Sequence, residues 1–286
     1  MNYGITNNIG KIKKEEVKNI LKLAKDLGIS FLDTAQAYGE SEELIGELTP
    51  EENTFRIISK LSSQANLPWT KIKINELENS FQKTLKNLKA DSIDSYLIHN
   101  SNDLRRKDSH ILINYLSEKK HKGFINRIGV SIYNTKDLDN ILLDKIDLVQ
   151  IPLSIYDQRL IKDGTIKQLV NDGILIHARS AFLQGLILKT SIEWPDFISN
   201  EFKNHHKSIE KLISSKGLTM LDISIYFLCQ NIDLEAVLVG VTSMLELKEI
   251  AKVWHNKDRI KEKISDLDFN EFAWSNEKDL DPREWD

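Results

Sequence analysis

Cysteine is almost missing: one residue of 286, Cys229, carries a thiol. A lone thiol rules out an internal disulfide framework and any Cys-x-x-Cys metal or redox site. Cys229 falls on a helical apolar face and reads as a structural residue. A charge excess is missing too. With 39 Lys and Arg against 43 Asp and Glu, the net charge is −4 and the pI is near 6.0, so electrostatics favours neither nucleic acid nor an acidic membrane as a partner. Apolar runs such as 223–229 are too short and interrupted to span a bilayer. No basic-then-apolar leader opens the chain, and a cytoplasmic location is expected. Gly-x-Gly-x-x-Gly, the turn of a dinucleotide-binding doubly wound domain, occurs nowhere.

What is present is an alternation of two periodicities. Val17, Ile20, Leu21, Ala24 and Leu27 follow helical spacing and Gly28 ends the pattern. A buried strand over 29–32 follows, and a helix over 41–48 opens with Glu42 and Glu43 in its first turn. Strands are predicted over 56–60, 95–99, 125–130, 146–151, 174–178 and 236–239. Between them lie helical patterns carrying Leu77, Phe81, Leu85 and Leu88, then 109–122, then Leu138, Ile141 and Leu142, then 160–171. Helices over 201–215, 221–230 and 244–254 complete the series, after an irregular region around Trp194 and Pro195. Strands that each lead into a helix, without a linker or composition break, predict a parallel sheet. So regular a series favours one (β/α)8 TIM barrel spanning 1–286 as a single domain, over a doubly wound sheet. Seven strands are recognisable. The eighth would precede the Val17 helix, where 1–14 offers no strand-length apolar run.

Asp33, Lys60 and His99 each stand at the end of a separate predicted strand, and Tyr38 lies in the loop after the first. Singly, each has a bland reading: a helix cap, a solvated ammonium, a satisfied hydrogen-bonding ring. Together they occupy the C-terminal ends of three consecutive strands, the rim where barrel enzymes carry their chemistry. His205 and His206, adjacent on a Lys-rich helix, point apart and are not expected to bind metal. His121 and His177 read as structural or solvated.

Asp33-Thr34-Ala35-x-x-Tyr38-Gly39-x-Ser41-Glu42, then Ile58-Ser59-Lys60 and Leu97-Ile98-His99, closely resemble the aldo-keto reductase superfamily. The resemblance continues through Gly129-Val130-Ser131, Val149-Gln150, Ser180-x-x-x-Gln184-Gly185 and Gly240-Val241-Thr242-Ser243. It is strongest to the short bacterial branch associated with polysaccharide biosynthesis. It implies NAD(P)H-dependent reduction of an aldehyde or ketone, or the reverse oxidation. Tyr38 would be the general acid, assisted by Lys60, Asp33 and His99. A phenol is a weak acid, with pKa near 10, so a neighbouring ammonium that favours the phenolate suits the role. The resemblance further implies cofactor contacts from Ser131 and Gln150 at the nicotinamide carboxamide, and from Arg179 where many members stack an aromatic ring. Ser180, Gln184 and Gly185 would meet the pyrophosphate. Gly240, Val241, Thr242, Ser243 and Glu246 would meet the adenosine phosphate at a helix N-terminus.

NADPH is the cofactor implied and a small carbonyl compound the substrate, with a sugar derivative one of the options the sequence leaves open. NADH stays open, because no Lys or Arg lies within 240–247 to neutralise a 2′-phosphate and Glu246 replaces a frequent Gln. Two other functions also stay open. A strand-end lysine is how Schiff-base aldolases are built, and borohydride trapping on Lys60 discriminates that class. A binding or regulatory protein of the same architecture is the other, motivated by the first strand, which the resemblance expects before Asn2. A start upstream of Met1, or an open seam beside the 29–32 strand, would account for it.

Overall fold

The apolar spacing around Val17 produces helix α1 (Lys14–Asp26), and Gly28, at φ +71, turns the chain out of it as the sequence predicts. In the computed structural model, which describes residues 10–49, 54–63, 68–69, 71–139, 141–231 and 233–285, seven strands follow. They are β1 (Phe31–Asp33), β2 (Arg56–Leu61), β3 (Ile93–Ile98), β4 (Ile125–Ser131), β5 (Leu148–Pro152), β6 (Leu175–Arg179) and β7 (Ala236–Val237). They are hydrogen-bonded in chain order, and β1 through β5 pair in parallel. Parallel neighbours need a crossover, and α-helices follow every strand from β1 to β5 except β4: α2 (Ser41–Leu48), α3 (Lys71–Leu88) and α4 (Ser109–His121), then α5 (Arg159–Lys162) and α6 (Thr165–Asn171). Beyond β6 come α7 (Asn200–Ser215), α8 (Met220–Gln230), α9 (Met244–His255), α10 (Lys257–Lys263) and α11 (Glu277–Leu280). The predicted seven-strand (β/α) barrel class is therefore present among the described residues. The first strand, which the resemblance expects ahead of Asn2, lies outside the described residues.

Contacts divide the chain into two compact units. The first holds Lys13–Ile151 and Gln168–His177, the second Pro152–Lys167 and Ala178–Asp286. In the first unit, α3 buries the predicted face of Leu77, Phe81, Leu85 and Leu88. Here α2 approaches so closely that a Cβ on Gly46 would lie 2.2 Å from the Asn87 carbonyl oxygen. In the second, Trp194, Phe202 and His206 form a buried aromatic cluster, with Trp194 stacked on His206 at 4.5 Å between ring centroids.

Three expectations need correction. No α-helix runs through Leu138, Ile141 and Leu142; two 3-10 turns, Thr135–Leu138 and Leu143–Lys145, replace it. The Asp137 carboxylate accepts from the Tyr133 and Asn134 N–H groups at 2.7 and 3.2 Å, a local tie that competes with helix propagation. The helix expected over 160–171 breaks at Gly164, at φ +81, and restarts where Asp163 accepts from Thr165 N–H at 2.9 Å. The last strand is shorter than 236–239, although Leu238 N–H still donates to the Ala178 carbonyl at 2.8 Å.

Candidate active site

Strand register places the predicted residues on one face of the sheet. Asp33 lies opposite Ile58, so it shares a face with Lys60; Lys60 lies opposite Leu97, two residues before His99. Leu97 lies opposite Gly129, and Ser131 opposite Gln150. Period-2 alternation therefore gives Asp33, Lys60, His99, Ser131 and Gln150 a common face at the strand ends. Gly129 is required between them, since a Cβ there would lie 2.8 Å from both the Leu97 Cγ and the Leu148 carbonyl oxygen.

On that face the side chains form a continuous set. Lys60 Nζ, with a side chain only 2% exposed, donates to Asp33 Oδ2 at 2.6 Å and to the Thr34 carbonyl at 2.9 Å. Gln150 Nε2 donates to the other carboxylate oxygen, Oδ1, at 2.7 Å. This uses the Gln150 amide as a donor and leaves its buried Oε1 without a hydrogen-bond partner among the described residues. Lys60 Nζ lies 5.2 Å from the centroid of the Tyr38 ring. The His99 ring meets Tyr38 edge-on, 5.8 Å between centroids and 83° between planes. A phenol thus sits between an ammonium held by a carboxylate and an imidazole.

The loop that carries Tyr38 is fixed by Gln36, a residue to which the sequence pattern assigns no role. Gln36 donates through its amide to Tyr96 Oη at 2.8 Å, Thr84 Oγ1 at 3.0 Å and the Ser80 carbonyl at 3.2 Å. It accepts from Ser62 N–H at 3.1 Å, and its own N–H reaches the Lys60 carbonyl at 3.3 Å. The loop is thereby tied to both α3 and the end of β2. Thr84 continues the network to Glu42, a buried carboxylate that also accepts from Ser59 Oγ at 2.6 Å. Burial, with the Glu42 charge nearby, pushes the Tyr96 phenol far above its usual range and keeps it a donor-capable hydroxyl. The readable signal was Thr84, a polar residue on the otherwise apolar stripe of α3.

The other predicted residues belong to the second unit. Arg179 ends β6 and donates to Ser180 Oγ at 3.2 Å. Ser180, Leu183 and Gln184 take positive φ values of 61, 47 and 54, followed by Gly185 at 90. Left-handed backbone at three non-glycine residues is costly and persists only where packing fixes it; the buried side chains of Leu183, Leu186 and Ile187 do so. At the start of α9, Ser243 caps the helix by accepting from Glu246 N–H at 3.2 Å. Glu246 reaches back to Thr242, accepting from its N–H at 2.6 Å and its hydroxyl at 2.8 Å. Gly240 and Val241 precede this cap.

His206 and His205 find hydrogen-bond partners. His206 Nε2 lies 2.8 Å from the Lys189 carbonyl, which can only accept, so Nδ1 accepts from Tyr156 O–H at 2.6 Å. His205 Nε2 bonds the Phe272 carbonyl at 2.9 Å. Among the described residues, no group of three or more His, Cys, Asp or Glu is placed to hold a metal ion. No single described helix is long and apolar enough to cross a membrane.

Comparison with known proteins gives the same direction as these geometries. The aldo/keto reductase family model matches residues 1–268. An uncharacterized oxidoreductase of Bacillus subtilis, YqkF, is 24% identical over 279 residues, covering 89% of this chain and 87% of that protein. The aldo-keto reductase YhdN of the same organism is 25% identical over 215 residues, covering 71% of this chain and 62% of YhdN. Among solved structures, aldo-keto reductase AKR11C1 of Bacillus halodurans superposes with a TM-score of 0.70 at 18% identity, covering 88% of each chain. The likeness to that structure is one of fold. The family match extends over nearly the whole sequence, and on it the chain belongs to the aldo/keto reductase family of oxidoreductases.

Proposed function

We propose that the chain reduces a small aldehyde or ketone to an alcohol with a nicotinamide cofactor, and that Tyr38 supplies the proton. The observation that carries this reading is the placement of a half-buried phenol between the Lys60 ammonium and the His99 ring. A carbonyl that gains hydride develops alkoxide charge and needs a donor within hydrogen-bond reach. Tyr38 gives its proton to that oxygen. Lys60 favours the phenolate that remains, because a cation beside the ring lowers the energy of the charged form. Asp33 holds the ammonium at 2.6 Å, and His99 orients the carbonyl oxygen.

The nicotinamide supplies hydride when bound. The residues on the first unit's face fit its carboxamide. Gln150 Oε1 is a buried acceptor without a partner among the described residues, and an amide N–H is the group it can take. Ser131, opposite Gln150 in register, offers a hydroxyl beside it. Arg179, Ser180, Gln184 and Gly185 are proposed to meet the nicotinamide ring and pyrophosphate, and Gly240 to Ser243 with Glu246 the adenosine side. The family resemblance implies NADPH as the form bound.

Against the aldolase reading, Lys60 Nζ is buried and committed to both Asp33 and the Thr34 carbonyl. An amine held as an ammonium by a carboxylate has no lone pair with which to attack a carbonyl. The test is a panel of short aldehydes, hydroxy ketones and keto sugars, scored for carbonyl-dependent oxidation of reduced nicotinamide. A parallel borohydride trap follows Lys60 by mass spectrometry. Turnover without an adduct supports the reductase; a Lys60 adduct without nicotinamide oxidation supports the aldolase.

A further inference from the structure

The cofactor's adenosine side is where this chain departs from the family's expected NADPH, and the role assigned to Glu246 rests on the proposed nicotinamide chemistry. An NADPH ribose carries a phosphomonoester, with about −1.5 to −2 charge at neutral pH. It needs donors and a counter-charge at the start of α9. Both donors of Thr242 are already taken: the Glu246 carboxylate accepts from the Thr242 N–H at 2.6 Å and from its hydroxyl at 2.8 Å. The Ser243 hydroxyl accepts from Glu246 N–H at 3.2 Å. The favourable end of the α9 dipole is thus already matched by an anion that belongs to the protein. No Lys or Arg lies within 240–247. The nearest cation in sequence, Lys248, is exposed and stands two residues from Glu246, a spacing that puts the two side chains on different sides of a helix.

We infer that Glu246 makes this chain selective for NADH. Its carboxylate stands in for the 2′-phosphate and repels it, whereas a ribose with an unmodified 2′-hydroxyl can donate a hydrogen bond to the same carboxylate, the device by which acidic residues recognise NAD in dinucleotide-binding domains. Serving only as a helix cap, Glu246 would be indifferent to the phosphorylation state of the cofactor.

The experiment is a calorimetric titration of NADH, NADPH, 5′-AMP and 2′,5′-ADP into the wild-type chain and Glu246→Gln. The glutamine keeps an acceptor for Thr242 and removes the charge, and thermal unfolding verifies that it folds. The wild type is expected to bind NADH at least about tenfold tighter than NADPH, the factor that about 1.4 kcal/mol produces. The variant is expected to tighten NADPH and 2′,5′-ADP without tightening NADH or 5′-AMP. Equal or tighter NADPH binding by the wild type overturns the inference, as does a substitution that shifts all four ligands alike. Binding of neither dinucleotide overturns the nicotinamide reading itself, and the role of Glu246 with it.

Discussion

Removing one member of the Asp33–Lys60 pair should cost very different amounts depending on which is removed. The pair is 2.6 Å long, with the Lys60 side chain 2% exposed and that of Asp33 21% exposed. At an effective dielectric of about 20, unit charges at that distance attract by roughly 6 kcal/mol, most of which offsets the desolvation of the buried ammonium. Asp33→Asn leaves that ammonium buried with only neutral acceptors, and stranded buried charges cost about 3 to 5 kcal/mol. Lys60→Met leaves a carboxylate that retains the Gln150 donor at 2.7 Å and reaches water, so a loss of about 1 to 2 kcal/mol is expected. With about 2 to 4 °C of melting temperature per kcal/mol in a chain of this size, Asp33→Asn should lower Tm by at least about 6 °C and Lys60→Met by less. The double variant should lose less than the sum, because the stranded charge is gone. Calorimetry of the four proteins checks the order. A Lys60→Met loss equal to or greater than that of Asp33→Asn, or strict additivity, refutes the reasoning from burial.

Other positions give independent tests. Gly46→Ala drives a methyl against the Asn87 carbonyl at a spacing of 2.2 Å, and overpacking of this kind should cost about 1 to 3 kcal/mol in urea unfolding. Gln36→Ala frees the Tyr38 loop from α3 and β2; kcat should fall about tenfold or more with a smaller change in KM, since misplacement of a reacting group acts on the chemical step. Gln36→Glu should not rescue it, because a second carboxylate would join the network of Glu42. Burial holds His206 below its ordinary imidazole pKa. The unfolded chain therefore binds a proton that the folded chain does not. Its contribution is fully present above the unfolded value near 6.5 and is lost as pH falls from there, by at most about 1.4 kcal/mol per pH unit for one group. Urea midpoints of the wild type and His206→Asn at pH 8 and pH 5 should show a steeper acid loss in the wild type.

Much of the architecture was legible in the sequence because both periodicities are strong where packing is one-sided. The α3 stripe and the strand ends at Asp33 and Ser131 follow directly from apolar spacing, and β2 runs one residue past the expected end at Lys60, to Leu61. The misplaced helix after β4 arose because Leu138, Ile141 and Leu142 carry helical spacing, while the competing tie from Asp137 to two backbone N–H groups depends on a turn that composition does not reveal. The break at Gly164 was readable in principle, as an Asp-Gly pair whose carboxylate can accept from the first N–H of a restarting helix. For Gln36 the sequence offers only half the signal, the polar Thr84 on the α3 stripe; which residue Thr84 meets is decided by the fold, because the partners of Gln36 come from separate segments. Glu246 is visible in the sequence as a departure from a pattern, but the bending of its carboxylate back onto Thr242 is a property of the folded cap.

The most direct measurement is the rate at which reduced nicotinamide is consumed on mixing with a carbonyl substrate, for wild type and Tyr38→Phe, with cofactor affinity measured alongside. Loss of the proton donor should lower kcat by about 10² or more while the dissociation constant of the cofactor changes little. Retention of most of the rate by Tyr38→Phe would contradict the assignment of the phenol as the acid.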